Sequence, residues 1–131
     1  MRAFAIVLKI LGLSIFLVGG LHLALGLRAD ALLDPTISEA AIANPTLESQ
    51  NRFFGVAFTL YGALLWLVAS DIARYDVVLR VMLAVFFAGG LARLVAWVQY
   101  GAPTAPTVGL LAIELVAPPL LYLWRRRLAP G

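Results

Sequence analysis

The sequence predicts an all-α integral membrane protein, a four-helix bundle with a short interfacial helix between its first two spans. Three observations predict it. Hydrophobic residues make up 63% of the chain and charged residues only 13%, against roughly 45–50% and about 25% in soluble domains; the mean hydropathy is +0.96. The apolar residues gather into four runs, each long enough to cross a hydrocarbon layer of roughly 30 Å at about 1.5 Å per residue. None of the runs alternates with period two. In lipid, where every backbone group needs an internal partner, they are therefore helices rather than barrel strands. The 131 residues read as a single transmembrane domain.

The first span covers residues 3–26. It follows Arg2, carries Lys9 inside it, and exceeds the roughly 7–15 residues of a signal-peptide core, so it reads as a retained span. Residues 27–46 form the one long connection. Within it, Asp34-Pro35 and Asn44-Pro45 each couple a good N-cap with a proline suited to the first helical position. The first pair predicts a short helix at about 35–43 lying in the interface; the second marks the start of span two, placed at 47–70. A polar turn, 71–74, leads to span three at 75–99. An uncharged loop rich in Pro and Gly, 100–106, leads to span four at 107–125. There is no internal repeat.

The basic residues set the orientation. Arg2, Lys9, Arg74, Arg80, Arg125, Arg126 and Arg127 fall at one membrane face, and Arg28, Arg52 and Arg93 toward the other. The positive-inside rule places both termini in the cytoplasm and the protein in an inner (plasma) membrane. Trp124 beside the three final arginines reads as an interfacial anchor with an attraction to anionic lipid. A net charge of +3 distributed at span ends is this orientation signal rather than a phosphate-tracking patch, so no nucleic-acid partner is expected. The chain has no cysteine, which excludes disulfides, thiolate nucleophiles and cysteine metal sites.

On a helical wheel the polar residues share faces with the small ones. Gly12, Ile15, Gly19, His22 and Gly26 occupy an arc of about 80° on span one, and Glu48, Arg52, Gly55, Thr59, Gly62 and Trp66 a similar arc on span two. Span three aligns Met82, Phe86, Gly89, Arg93 and Tyr100; span four aligns Thr107, Leu110, Glu114, Pro118 and Leu121. Small residues in lipid mark the faces where helices approach, so the charges are expected to point into the bundle. Counted from the outer ends, His22 and Arg52 lie about 6 Å deep and Arg93 and Glu114 about 9–10 Å, with Glu48 just above. The expectation is one polar site near the outer face. Pro118 and Pro119 cannot donate to the carbonyls of Glu114 and Leu115, which predicts a kink beside the carboxylate.

The motifs Gly19-Gly20-Leu21-His22, Gln50-x-Arg52-x-x-Gly55, Gly89-Gly90-x-x-Arg93, Gly101-x-Pro103 and Glu114-Leu115 with Pro118-Pro119 resemble those of a bacterial family of short four-span membrane proteins known only as a domain of unknown function. More distantly, the chain is similar to the DoxX-like group. The resemblance covers nearly the whole chain. It implies a four-helix inner-membrane bundle without an assigned activity, and its DoxX side implies an association with redox and quinone-associated complexes.

Three functional readings stand at this point. In the first, the buried polar pocket binds a lipophilic or anionic small molecule: Arg52 and Arg93 clamp a carboxylate, phosphate or quinone oxygen, with Glu48 and Tyr100 completing the ligand-binding set. Phe54, Phe58, Phe86 and Trp97 would line its apolar approach. In the second, the charges are ion-pair staples, Arg93 with Glu114 and Arg52 with Glu48, in a structural or accessory subunit of a larger membrane complex or homo-oligomer. In the third, His22 and Glu114 form an acid/base pair acting on a lipid-soluble substrate. One histidine among carboxylates is a weak metal signal, so no metal site is expected. The residues name no cofactor, and four spans without inverted repeats argue against a transporter acting alone.

Overall fold

The computed structural model describes residues 1–128. Its elements are all helices: α1 (Arg2–Leu25), α2 (Arg28–Ala31), α3 (Glu39–Ile42), α4 (Pro45–Ser70), α5 (Asp76–Tyr100) and α6 (Ala105–Leu128). The long ones, α1, α4, α5 and α6, are each apolar and long enough to cross a membrane. The chain divides into two compact units, one of residues Ala5–Asp71 and the other joining Met1–Phe4 to the chain from Ile72 onward.

In the first unit α1 and α4 lie antiparallel, and glycine makes their approach close. A Cβ at Gly55 would lie 2.6 Å from the Leu23 nitrogen and 2.9 Å from the Gly19 carbonyl oxygen. One at Gly62 would lie 2.5 Å from both the Gly12 oxygen and the Phe16 nitrogen. Lipid supplies no hydrophobic drive between helices, so dense backbone packing of this kind holds them instead. The Trp66 indole nitrogen closes the far end by donating to the Lys9 carbonyl at 2.8 Å.

The connection between α1 and α4 is built from local caps. Gly26 takes φ +58° and its nitrogen donates to the His22 carbonyl at 2.8 Å, a left-handed helix stop. Asn44 accepts from the nitrogens of Thr46 and Leu47 at 2.9 and 3.2 Å, with Pro45 opening α4. The cap expected there is the cap observed, and α4 starts two residues before the 47 read from hydropathy. Asp34 behaves differently. Its carboxylate accepts from the nitrogen and hydroxyl of Thr36 at 3.0 and 2.6 Å, closing a local turn over Pro35 instead of a helix. The short helix therefore begins later, where Ser38 accepts from the Ala41 nitrogen at 3.2 Å, and it spans Glu39–Ile42 rather than 35–43. One more helical turn, α2, was not foreseen.

In the second unit α5 and α6 are antiparallel, with Leu79, Met82, Leu83 and Gly90 buried on α5 and Leu111, Glu114, Pro118 and Leu121 on α6. Two positions correct the expected faces by one residue each. Gly90, not Gly89, is the close approach: a Cβ there would meet Leu115 at 2.8 Å, whereas one at Gly89 would meet nothing within 4 Å. Leu111 is buried, while Leu110 is 43% exposed. Helix α6 continues through Pro118 and Pro119 and extends beyond the expected 107–125 at both ends. Within the same unit, Phe4 is fully buried and stands edge-on to Trp124, ring centroids 5.2 Å apart.

Candidate functional site

Five of the residues singled out in the sequence make contacts within their own unit, His22, Glu48 and Arg52 in the first and Arg93 and Glu114 in the second. The first cluster lies where α1 ends and α4 begins. Glu48, one turn into α4, accepts from the Leu27 nitrogen at 2.9 Å and from Arg52 Nε at 2.9 Å, with Arg52 Nη2 at 2.7 Å. Arg52 Nη1 donates to the carbonyls of Leu23 and Ala24 at 2.7 and 3.2 Å. Those carbonyls belong to the last turn of α1, which has no intrahelical donors left for them. All three nitrogens of Arg52 are thus engaged by its own unit. Gly26 suits this place, because its φ of +58° strains any L side chain and a Cβ there would push the Glu48 carboxylate aside.

His22 sits beside this clip. Its Nδ1 is 2.8 Å from the Val18 carbonyl and its Nε2 is 3.1 Å from Asp30 Oδ1. Both ring nitrogens face oxygens. A carbonyl can only accept, so toward Val18 the ring nitrogen is the donor. Asn51 Nδ2 donates to the other oxygen of Asp30, while Asn51 Oδ1 is buried and has no hydrogen-bond partner among the described residues. Asp30 and Asn51 were missed in the sequence. Asp30 lies in the long connection, where hydropathy gives no direction to a side chain. Asn51 was legible in principle, because it stands three residues after Glu48 and so is its neighbour on the helix surface.

The second cluster is the ion pair between α5 and α6. Arg93 Nε lies 2.8 Å from Glu114 Oε2 and 3.1 Å from Oε1. The glutamate side chain is 8% exposed and the arginine 38%. Gly90 opens room for this pair, since a Cβ there would lie 3.1 Å from Glu114 Cβ. Both hydrogen bonds between the pair run through Nε of Arg93.

The structure does not bring Tyr100 to this pair. It is the last residue of α5, seven beyond Arg93, and 87% of its surface is exposed. Phe54 and Phe58, expected on the apolar approach, are 55% and 37% exposed. Among the described residues no group of histidine and carboxylate side chains is arranged to hold a metal ion.

Four long apolar helices, with charges paired inside them, define a small multi-pass membrane protein. The chain belongs to the family described as a domain of unknown function, DUF4345, whose model matches residues 3–125. Comparison with curated proteins and with solved structures gives no match.

Proposed function

We propose that this protein binds the polar head of a lipophilic or anionic small molecule at Arg93 and Glu114, within a bacterial inner membrane and with both termini in the cytoplasm. The observation that carries the reading is the one-sided bonding of Arg93. A charge at mid-membrane costs about 2.5–3.5 kcal/mol on insertion scales. An arginine serving only to hold a glutamate recovers most by presenting two parallel N–H groups to it. Here one nitrogen serves both carboxylate oxygens instead of two parallel N–H groups, an arrangement that favours a further acceptor on the guanidinium. A carboxylate, a phosphate or a quinone carbonyl offers that acceptor chemistry. Kinship with the DoxX-like group belongs to the same proposal and favours the quinone carbonyl.

A different role suits the other cluster. Arg52 spends Nε, Nη1 and Nη2 on Glu48 and the end of α1, so Glu48 and Arg52 act as a clip between helices rather than a ligand clamp. His22, bonded to Val18 and Asp30, and Glu114, bonded to Arg93, are each occupied by other partners.

The test replaces Arg93 by Ala and, separately, by Lys, and follows melting in detergent together with the small molecules that copurify. A head-group anchor predicts that both variants fold and lose the copurifying molecule. If Ala instead collapses the fold, Lys restores it, and neither changes what copurifies, Arg93 is a staple and the proposal fails.

A further inference from the structure

The second unit carries an open groove at its other end, remote along α5 from Arg93 and independent of the reading above. It has a volume of about 290 Å³ and is lined by Leu83, Ala84, Phe87, Pro118, Pro119 and Tyr122, with Arg80 at its rim. From Arg80 to Phe87 it follows α5 for about 10 Å at 1.5 Å per residue. That length keeps it within one leaflet of a hydrocarbon layer roughly 30 Å thick. Tandem prolines contribute ring carbons and no N–H, so the wall they form is apolar and offers nothing to a polar ligand.

The rim has the opposite character. Arg80 bonds Asp76 through Nε at 2.8 Å and approaches it through Nη2 at 2.6 Å, yet remains 58% exposed. Arg125 Nε lies 2.9 Å from the other oxygen of Asp76, without the alignment of a hydrogen bond. One carboxylate therefore answers two arginines. Arg126, stacked over the Tyr122 ring at 6.0 Å, and Arg127 add further positive charge at the same end of α6. An apolar slot one leaflet deep, beneath an excess of arginine, matches one occupant in chemistry and in shape.

We propose that this groove holds an acyl chain of an anionic phospholipid, with the lipid phosphate at Arg80 and Arg126. Such a site orders one lipid against α5 and α6 beyond the general attraction of basic residues to an anionic surface.

The experiment titrates the full chain in detergent with phosphatidylglycerol, phosphatidylcholine or inorganic phosphate, and reads retained lipid by native mass spectrometry. Phosphatidylglycerol should be retained about tenfold better than phosphatidylcholine, a difference of about 1.4 kcal/mol, and inorganic phosphate should not displace it. Ala84→Phe, which fills the slot from an exposed position, should abolish retention of phosphatidylglycerol without lowering the melting temperature. Arg80→Gln should bring it down to the level of phosphatidylcholine. Equal retention of the two lipids in the unaltered chain, or undiminished retention of phosphatidylglycerol by the folded Ala84→Phe variant, would overturn the proposal.

Discussion

Gly26 shows how much a single position decides. Its φ of +58° is one that L side chains avoid, and the space a Cβ would need is held by the Glu48 carboxylate. Gly101 has a positive φ as well, +98°, but open surroundings. The pair separates backbone strain from collision. Gly101→Ala, at φ 98° and ψ 175°, should cost about 1–3 kcal/mol in strain alone. Gly26→Ala should cost about 1–2 kcal/mol in strain and lose the Glu48–Arg52 clip as well. Adding Glu48→Ala to it should therefore lower the melting temperature little further, and a full additional loss would mean that the clip survives it. At this scale the sequence is informative where a residue lies on a regular helix. His22, Arg52, Arg93 and Glu114 were all identified from the wheel. Asp30 was not, because its direction depends on the left-handed stop at Gly26 and the single turn of α2, neither of which has a period to read.

Between elements the small residues carry the association, and neighbouring positions differ sharply. A Cβ at Gly19 would meet the Gly55 oxygen at 2.7 Å and the Thr59 side chain at 2.6 Å; at Gly20 it would meet nothing within 4 Å. Gly19→Ala is therefore expected to destabilise by about 1–3 kcal/mol through overpacking, and Gly20→Ala to stabilise by about 0.5–1 kcal/mol through helix propensity. Unfolding in mild denaturant checks both; loss at Gly20 or tolerance at Gly19 contradicts the packing described. The wheel placed α1 and α4 correctly because glycines and charges there agree on one face. On α5 two adjacent glycines are 100° apart, and pattern alone cannot choose between Gly89 and Gly90; the choice falls to the neighbour, Leu115. Caps divide in the same way. Asn44-Pro45 opens a helix and Asp34-Pro35 does not, because Thr36 offers Asp34 a nitrogen and a hydroxyl within its own turn.

For the whole molecule, four spans and their helical nature follow from composition and run length, the most robust signals a membrane sequence has. Orientation rests on the distribution of arginine and lysine, and the absence of cysteine makes it directly testable. A single cysteine at Ala102, in the turn between α5 and α6, should react with an impermeant maleimide on intact cells. One at Ala73, between α4 and α5, should react only after permeabilisation; the reverse pattern inverts the topology.

Arg93 concentrates the functional account, since it is charged, lies in a membrane span, and bonds its partner with one nitrogen of three. The most direct measurement is a native mass spectrum of the solubilised protein beside that of Arg93→Lys, matched for melting temperature. An added mass of a small acidic or quinone-like molecule on the unaltered chain, absent from the lysine variant, is the predicted result. Identical spectra, with no bound molecule on either, would contradict it.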